Sequence, residues 1–400
     1  MSKNDKQQAL VPRLRFPEFR NAGEWESMEL GDVCNPRQWA TISSSTLTES
    51  GYPVYGANGF IGFYSEYNHD DETIAITCRG STCGDVSLIP PKSYITGNSM
   101  ALDDLKVEKI NRSFLFQYLK RRGFKDVISG SAQPQIVGTA IKCMKIVIPE
   151  IEEQQKIADC LSSLDDLIAA EERKLAALRD HKKGLMQQLF PREGETRPRL
   201  RFPEFRNAGE WVKGALCEFG EIVTGMTPNT KEARLWDGDI LFITPTDISE
   251  DGKYQFSAAR AVRESKGMRV LPPGSVVYTC IASIGKMALT VRPSVTNQQI
   301  NAVIPNKKSL GEFIYYALAS LTPWIKTIPA SSTLPIINKS EFSKIEIVQP
   351  QDLAEQQKIA DCLSSLDALI DAQVKKLDAL RTHKRGLMQQ LFPSPEDTGV

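Results

Sequence analysis

The sequence lacks several features that mark common protein classes. It contains only three histidines, and its eight cysteines are scattered without a Cys-x-x-Cys pair, so no cluster has the ligand spacing of a zinc site. No apolar run reaches the roughly 18 residues that a membrane-spanning helix needs, and the first residues hold no apolar secretory segment. Positive and negative residues balance at 49 each, so bulk charge indicates neither a nucleic-acid nor a membrane partner. We expect a protein of the reducing cytoplasm with unpaired thiols.

Motifs of catalysis are also missing. The sequence has no Asn-Pro-Pro-aromatic or Asp-Pro-Pro-aromatic tetrad of an amino-methyltransferase, and no Phe-x-Gly-x-Gly cofactor loop. Residues 280–287 are superficially similar to a phosphate-binding loop, but they lack its first glycine and its final Ser or Thr. Gly56, Gly59 and Gly62 have the wrong spacing for a dinucleotide-binding loop and fit ordinary turns. We expect that the chain by itself is not an enzyme and holds no metal or cofactor.

What the sequence does contain is a duplication. Residues 14–25 recur without change at residues 200–211, and residues 153–191 recur at residues 355–393 with about 31 identities in 39 aligned positions. The stretches between these repeats look quite different from each other. The chain is therefore predicted to use one unit twice, composed of a leading motif (residues 14–25 and 200–211), a variable module and a long repeated segment.

Apolar residues in each long segment follow the 4-3-4-3 spacing that is typical of a coiled-coil helix. In the first copy these residues are Ile157, Leu161, Leu164, Ile168, Leu175, Leu178, Leu185 and Leu189. Glu171 and Lys182 fill its two remaining slots, and Gln373 and Lys384 fill those of the second copy. A helix packed on its own module is the alternative, but the length and the narrow apolar seam favour a coiled coil.

The two long helices are predicted to pair with each other in antiparallel orientation, because connections between elements are usually short. The molecule would then have pseudo-two-fold symmetry, with one module at each end of a rod, and the polar seam residues would help to fix the register. Each leading motif would lie near a helix end. Docking on that helix end is the first interpretation of the motif, and a share in docking a partner is the second.

Weak similarities between the two modules indicate one fold with diverged surfaces. Residues 77–84 resemble residues 278–285, and a short helix is predicted in each module, at residues 113–119 and 312–318. We predict an α+β protein in which two mixed α/β modules are separated by two long helices that form an antiparallel intramolecular coiled coil. The predicted segments are a first leading segment 1–25, a module 26–152, a helix 153–191, a linker with the second leading motif 192–211, a module 212–354, a helix 355–393 and a tail 394–400.

Three local motifs accompany the duplicated layout. They are Pro53-Val54-Tyr55-Gly56-Ala57-Asn58-Gly59, Thr96-Gly97-Asn98, and the Glu-Gln-Gln-Lys-Ile-Ala run that opens each long helix. Together with the layout they resemble the specificity subunit of a type I restriction-modification enzyme, over essentially the full length of the chain. The resemblance implies that the modules are target-recognition domains, each reading one half of a split, asymmetric site in double-stranded DNA. It also implies that the helices act as a spacer and as a docking surface.

The resemblance further implies partners that carry out the chemistry. Two methyltransferase subunits would bind S-adenosylmethionine and methylate adenine N6, and two restriction (motor-nuclease) subunits would use ATP and Mg for cleavage. This chain would be the non-catalytic, cytoplasmic subunit, with no cofactor and no membrane contact of its own. The residues that would dock these partners open each long helix and are Gln154, Gln155, Lys156, Gln356, Gln357 and Lys358.

Candidate DNA contacts are polar loop residues and basic clusters in the modules. Arg suits guanine, Asn and Gln suit adenine, and Lys and Arg suit backbone phosphates. The candidates in the first module are Tyr55, Asn58, Arg79, Ser81, Thr82, Lys120, Arg121, Arg122, Lys125, Ser131, Gln133 and Gln135. Those in the second are Thr244, Thr246, Arg263, Ser283, Lys286, Gln298, Ser331, Ser332 and Thr333, with Arg260, Lys266 and Arg269 in the same basic stripe as Arg263.

Two other functional classes stay open from the residues alone. The chain could be a coiled-coil adaptor whose modules bind proteins or glycans, or a stand-alone enzyme that uses clefts in the modules. The missing catalytic motifs argue against the enzyme. Nearly identical helices with unlike modules imply one type of partner and two different ligands, which favours a DNA specificity subunit over an adaptor.

Overall fold

The computed structural model describes residues 10–130, 133–250, 252–327 and 336–393. The helices are α1 (Arg112–Arg122), α2 (Gly138–Lys142), α3 (Ile151–Leu189), α4 (Leu216–Phe219), α5 (Gly311–Ile325), α6 (Lys339–Ser343) and α7 (Leu353–Gln390). None of the helices in these ranges is long and apolar enough to cross a membrane. The chain divides into two compact units: the first contains the residues up to Glu171 and those from Lys376 onward, and the second contains residues 172–375.

The first unit is built on three sheets in its described part. Its strands are β1 (Glu26–Glu29), β2 (Asn35–Gln38), β3 (Tyr52–Gly56), β4 (Gly59–Tyr64), β5 (Thr73–Thr77), β6 (Val86–Ile89), β7 (Tyr94–Ile95), β8 (Ser99–Asp103) and β9 (Lys145–Ile148). β1 pairs with β9, and a second sheet has the antiparallel order β2-β8-β5-β6. The third sheet has the order β4-β3-β7, with β3 antiparallel to β4 and parallel to β7.

The second unit repeats this framework. Its strands are β10 (Val212–Ala215), β11 (Gly220–Thr224), β12 (Trp236–Ile243), β13 (Tyr254–Gln255), β14 (Arg260–Val262), β15 (Val276–Thr279), β16 (Met287–Thr290), β17 (Ser294–Thr296), β18 (Ile300–Pro305) and β19 (Glu346–Gln349). The sheets are β10-β19, β11-β18-β15-β16-β13 and β14-β12-β17, in which β12 is antiparallel to β14 and parallel to β17. Apart from β13, these orders match the first unit strand for strand. The prediction of one mixed α/β fold for both modules is confirmed.

The cores form where a module helix covers the larger sheet. In the first unit Phe114 and Leu115 of α1 are fully buried in one cluster with Ile74 and Ile76 of β5. In the second unit Ile314 of α5 packs in the same way with the residues of β15. The strand residues are buried on successive positions because both faces of these strands are covered. The sheets therefore carry the loops that follow β5 and β15 on a rigid base.

The long helices pair within each unit. In the first unit Ile157 and Leu161, near the start of α3, share a core with Leu387 and Leu391, near the end of α7. Residues at the start of one helix thus meet residues at the end of the other, which is the antiparallel arrangement. The helices begin just after Pro149 and Pro350 and end just before Pro191 and Pro393, because proline interrupts helix hydrogen bonding.

In the second unit the roles of the helices are exchanged. Leu185 and Leu189, near the end of α3, pack with Ile359 and Leu363, near the start of α7. Three of the four polar seam residues form ion pairs between the helices. Lys384 pairs with Asp165 and Glu171 with Lys376 in the first unit, and Lys182 pairs with Asp367 in the second. The predicted antiparallel pairing is therefore confirmed in each unit.

Candidate nucleic-acid interface

The turn of the β3–β4 hairpin forms the first part of a polar surface on the first module. Ala57 and Asn58 make the turn, and the φ of +81° at Gly59 is one that glycine adopts without strain. The carbonyl oxygen of Ala57 accepts hydrogen bonds from the hydroxyls of Thr77 at 3.1 Å and Thr82 at 3.2 Å. The hairpin is therefore held against the loop that follows β5.

A third chain segment joins this loop through its backbone. The N–H of Gly80 donates to the carbonyl oxygen of Pro134 at 3.2 Å, and Ser129 and Gln135 exchange two backbone hydrogen bonds of 2.9 Å. The structure thus brings together the three segments that the sequence nominated separately. The side chains exposed on this surface are Asn58, Arg79, Ser81, Gln133 and Gln135, with Tyr55 and Thr82 half-buried. Ser131 lies outside the described residues.

Two apolar residues of this surface were missed by the sequence reasoning. Phe60 and Ile61 of β4 are 51% and 42% exposed, directly beside the hairpin turn. The ring of Phe60 stands edge-on to the ring of Tyr55, with 6.1 Å between centroids. Their position in the sequence could have indicated them, because Phe60 and Ile61 lie between Gly59 and Gly62 at the tip of a hairpin.

The basic residues at and just after the end of α1 differ in whether they are hydrogen-bonded within the unit or exposed to solvent. Arg122 donates to both carboxylate oxygens of Asp126, at 3.0 and 2.8 Å, and to the carbonyl oxygen of Lys145 at 3.1 Å. The guanidinium holds the pKa of the Asp126 carboxyl below its usual range, chiefly through these hydrogen bonds. Lys120 and Lys125 are exposed instead. Arg122 therefore stabilises the loop after α1, while the two lysines face solvent.

In the second module the predicted polar residues also gather near the ends of strands. The hydroxyl of Thr244, just after β12, contacts that of Thr246 at 2.9 Å. The turn that carries Gln298 is joined to β12 through the N–H of Asn297, which donates to the carbonyl oxygen of Ile243 at 3.2 Å. Gln298 itself accepts a hydrogen bond of 2.7 Å from the hydroxyl of Thr227.

The loop after β15 belongs to the same neighbourhood. The N–H of Cys280 donates to the carbonyl oxygen of Gln299 at 2.8 Å, so this loop adjoins the turn of Gln298. Ser283 and Lys286 line an open cavity of about 340 Å³, and the Lys286 ammonium lies 3.4 Å from the carboxylate of Glu250. Three further candidates of this module lie outside the described residues, and they are Ser331, Ser332 and Thr333.

The basic stripe of the second module is spread along β14 and beyond it. The guanidinium of Arg260 stacks on the ring of Trp236 at 3.4 Å from its centroid. Arg263 donates to the carbonyl oxygen of Trp236 at 3.3 Å, and Arg269 is paired with Glu221. Lys266 is exposed. Three of the four side chains are thus engaged within their own unit.

A buried lysine attaches the second module to α7, and no sequence motif predicted this contact. The Lys253 ammonium donates to the hydroxyl of Ser364 at 2.5 Å and lies 3.2 Å from the carboxylate of Glu312. It also faces the rings of Tyr254 and Tyr316, at 4.9 and 4.8 Å from their centroids. Burial lowers the pKa of Lys253, and the charge of Glu312 opposes that shift.

The thiols beside these loops have no features of nucleophiles. Burial raises the pKa of Cys78 to about 12 and that of Cys280 to about 11, so both are protonated at neutral pH. Within the described ranges no group of three or more His, Cys, Asp and Glu side chains could hold a metal ion. The chemistry that this arrangement offers is recognition by hydrogen bonding, charge and apolar contact.

Each leading motif lies against helix ends, as its first interpretation predicted. Arg15 donates to both carboxylate oxygens of Glu153, at 2.8 and 2.6 Å, and the N–H of Leu14 donates to the carbonyl oxygen of Gln390 at 2.9 Å. In the second unit Arg201 makes two bonds of 2.7 Å with Glu355. The motif therefore ties the start of one long helix to the end of the other within each unit.

The residues predicted to dock partners fall into two groups. Gln154 and Gln356 are 1% and 0% exposed, because their amides are used inside the unit: each donates to two backbone carbonyl oxygens and accepts one backbone N–H. These two side chains are enclosed by their own unit. The exposed members of the set are Gln155, Lys156, Gln357 and Lys358, of which the lysines pair with Glu18 and Glu204 of the leading motifs.

Comparison with known proteins identifies relatives. The family described as type I restriction modification DNA specificity domain matches residues 22–180 and 208–382, which is more than four fifths of the chain. The chain is 34% identical over 191 residues to the type I restriction enzyme MjaIX specificity subunit of Methanocaldococcus jannaschii, a match that covers 46% of this chain and 44% of that protein. It is 24% identical over 408 aligned positions to the MjaVIII specificity subunit of the same organism, covering 95% and 93%.

A solved structure has the same fold. The crystal structure of the type I restriction-modification system S subunit from M. genitalium superposes with a TM-score of 0.67 at 18% identity, covering 96% of this chain and 99% of that one. The family match covers both copies of the duplicated unit, including each module and most of each long helix. This chain therefore belongs to the family of the type I restriction modification DNA specificity domain.

Proposed function

We propose that this chain reads a bipartite, asymmetric site in double-stranded DNA, with one half-site for each module. The observation that carries the proposal is the surface of the first module, where three separate chain segments, joined to one another by hydrogen bonds, present exposed polar side chains. Arg79 suits guanine, and Asn58, Gln133 and Gln135 suit adenine. Phe60 and Ile61 add apolar contact of the kind that reads a thymine methyl group.

The second module supports a different half-site on the same framework. Its strand order repeats that of the first module, but the loop after β15 carries Ile281 and Lys286 where the loop after β5 carries Arg79 and Asp85. A shared scaffold with unlike reading loops is what two different half-sites require, because the bases are distinguished by the side chains at the groove edge.

The chain also docks the catalytic partners in this proposal. Gln155 with Lys156 and Gln357 with Lys358 are exposed and identical in the two copies, so two copies of one partner would meet the same side chains. Two methyltransferase subunits would supply S-adenosylmethionine-dependent methylation of adenine N6, and two restriction subunits would supply ATP- and Mg-dependent cleavage. The assembly would act on DNA in the cytoplasm, and this chain would contribute recognition without a cofactor of its own.

The test is the methylome of the host. Deletion of the gene for this chain should abolish N6-methyladenine at one split motif, and re-expression from a plasmid should restore the same motif. Deletion of the methyltransferase partner is the control, because it should remove that motif too. A methylome that is unchanged by deletion of this chain would refute the proposed function.

A further inference from the structure

An open cavity in the first unit is lined by four cationic side chains. It has a volume of about 460 Å³, and its lining residues are Arg13, Lys120, Arg121, Arg385, Met388 and Gln389. Arg13 precedes the leading motif, Lys120 and Arg121 end α1, and the other residues belong to the last turns of α7. Three chain segments that are distant in sequence therefore converge on one basic cavity with no acidic residue in its lining.

These cations are not neutralised within the described part of the chain. None of the four forms an ion pair there, although nearby arginines such as Arg15 and Arg122 do. The Nε–H of Arg121 is enclosed and has no acceptor, and the Lys120 ammonium rests 4.9 Å from the centroid of the Phe116 ring. An anion in the cavity would supply the counter-charge that the Arg121 guanidinium lacks among the described residues.

The internal repeat provides a comparison. The positions equivalent to Arg13 and Arg385 are Arg199 and Lys183, so the scaffold places two cations here in both units. α1 and α5 are aligned by their first residues, since the backbone N–H groups of Asn111 and Leu310 donate to the equivalent glutamines that open α3 and α7. In this alignment Ala319 and Ser320 of α5 are the residues equivalent to Lys120 and Arg121 of α1. The additional two cations thus belong to the first module alone.

We infer that this cavity binds a backbone phosphate of the DNA beside the half-site read by the first module. The inference rests on the proposed function and extends it. Four cationic side chains with no acidic residue beside them favour a phosphate ligand. Contacts to phosphates also fix the position of a DNA-binding protein along the duplex. A partner that docks equally on both copies would need only the two shared cations. The two that the first module adds match a ligand specific to that module, and the chain after α1 leads directly into the reading segment that contains Ser129 and Gln135.

The test uses the full chain assembled with its methyltransferase partner and a fluorescein-labelled duplex of about 30 base pairs that carries the methylated motif. The double variant Lys120→Ala/Arg121→Ser gives the first unit the residues of the second. We expect roughly 10-fold weaker binding at 100 mM KCl, and a slope of log K against log salt that is smaller by about 1, because each lost phosphate contact removes about 0.9 from the slope.

Two further variants keep the test independent of folding. Arg385→Gln changes one exposed residue on α7 and should lower both affinity and slope in the same direction, by less. Lys307→Ala/Lys308→Ser removes two adjacent exposed cations of the second unit with the same change of net charge, and should leave the affinity within about twofold. The circular-dichroism spectrum and melting temperature of each variant should match those of the parent chain.

Three outcomes would overturn the inference. Equal effects of the two double variants would mean that general electrostatics, and not a site, accounts for the loss. Unchanged DNA binding together with loss of the methyltransferase subunit on co-purification would assign the cavity to an acidic protein segment. If the parent assembly binds no duplex at all, the proposed function fails and the inference fails with it, whereas the first two outcomes leave the proposed function intact.

Discussion

Single arginines anchor the leading motifs to the helix ends. The Arg15 guanidinium contacts both oxygens of a Glu153 carboxylate that is 1% exposed, and it also donates to the carbonyl oxygens of Ala22 at 2.8 Å and Gly23 at 3.0 Å. Arg201 repeats every one of these contacts in the second unit. A planar guanidinium suits this bidentate arrangement, which lysine cannot reproduce.

Removal of this arginine should destabilise the first unit strongly. Arg15→Ala leaves the Glu153 carboxylate buried without its partner, and such a loss costs about 3–5 kcal/mol. Hydrogen exchange of peptides from β1 and β9 measures the opening free energy of that unit. Arg20→Ala is the matched control, because Arg20 is an exposed arginine of the same motif and its removal should cost less than about 0.5 kcal/mol. Equal effects of the two substitutions would contradict the assigned role of Arg15.

A base-reading role of Arg79 makes a different prediction. Arg79→Ala should weaken binding to a duplex with the methylated motif roughly 10- to 100-fold, since a bidentate contact to guanine is worth about 1–3 kcal/mol. Binding to a duplex with a scrambled motif should change little. Fluorescence anisotropy with both duplexes gives the ratio, and Arg20→Ala again serves as the control. A loss of the same size on both duplexes would show that Arg79 contacts phosphate and does not read a base.

At the scale of elements, the polar pairs in the helix seam connect the helices to the modules. Asp165 accepts the Lys384 ammonium from the opposite helix and also a hydrogen bond of 2.9 Å from the side chain of Gln117 on α1. Asp367 occupies the equivalent position and accepts from Lys182 and from the hydroxyl of Tyr316 at 2.5 Å. Each aspartate therefore joins three helices of its unit. These contacts fix the register of the two long helices and the position of the module helix against them.

An exchange of charges tests this role. Lys384→Asp or Asp165→Lys alone places like charges in the seam and should lower the free energy of unfolding by roughly 1–2 kcal/mol. The double variant should recover much of the loss, because the amide of Gln117 can turn its carbonyl oxygen toward the new ammonium group. Denaturant melts of the four chains give the coupling energy. A coupling energy near zero would mean that the pair does not set the register.

The sequence predicted the helices better than the sheets. Eight apolar residues at heptad spacing predict both α3 and a second helix that packs on its apolar seam. This pattern can be read from the local sequence and extends over many residues. The parallel pairings of β3 with β7 and of β12 with β17 were not predicted, since alternation identifies a strand but not its neighbour. The burial of Gln154 was missed for a related reason: residues repeated in both copies can serve internal packing as well as partner docking.

For the candidate interface, the sequence nominated three segments of the first module that the structure brings together, but it did not nominate the apolar side chains beside them. Polar loop composition pointed to the segments around Asn58, Arg79 and Gln135, which meet through hydrogen bonds that no sequence pattern specifies. Phe60 was overlooked because an apolar residue in a strand is usually buried. Arg122 was nominated for its charge, and its pairing with Asp126 depends on the turn that follows α1.

For the whole molecule, a net charge of zero conceals a local concentration of cations. The 49 acidic residues balance the 49 basic ones, yet the cavity of the first unit gathers four cations without an acid in its lining. A local basic cavity can therefore attract an anion while the chain stays neutral overall. The shared parts are the leading motifs, the long helices and the strand order, and the parts that differ are the loops and charges of the modules.

The central claim is that each module reads its own half-site on a common scaffold, and an exchange of one module tests it most directly. Residues 212–352 would be replaced by the corresponding module of a relative with a different motif, leaving α3 and α7 unchanged, and the methylome of the host would be sequenced. We expect a new split N6-methyladenine motif in which one half is altered and the other half is retained. A motif in which both halves change, or in which neither changes, would contradict this claim.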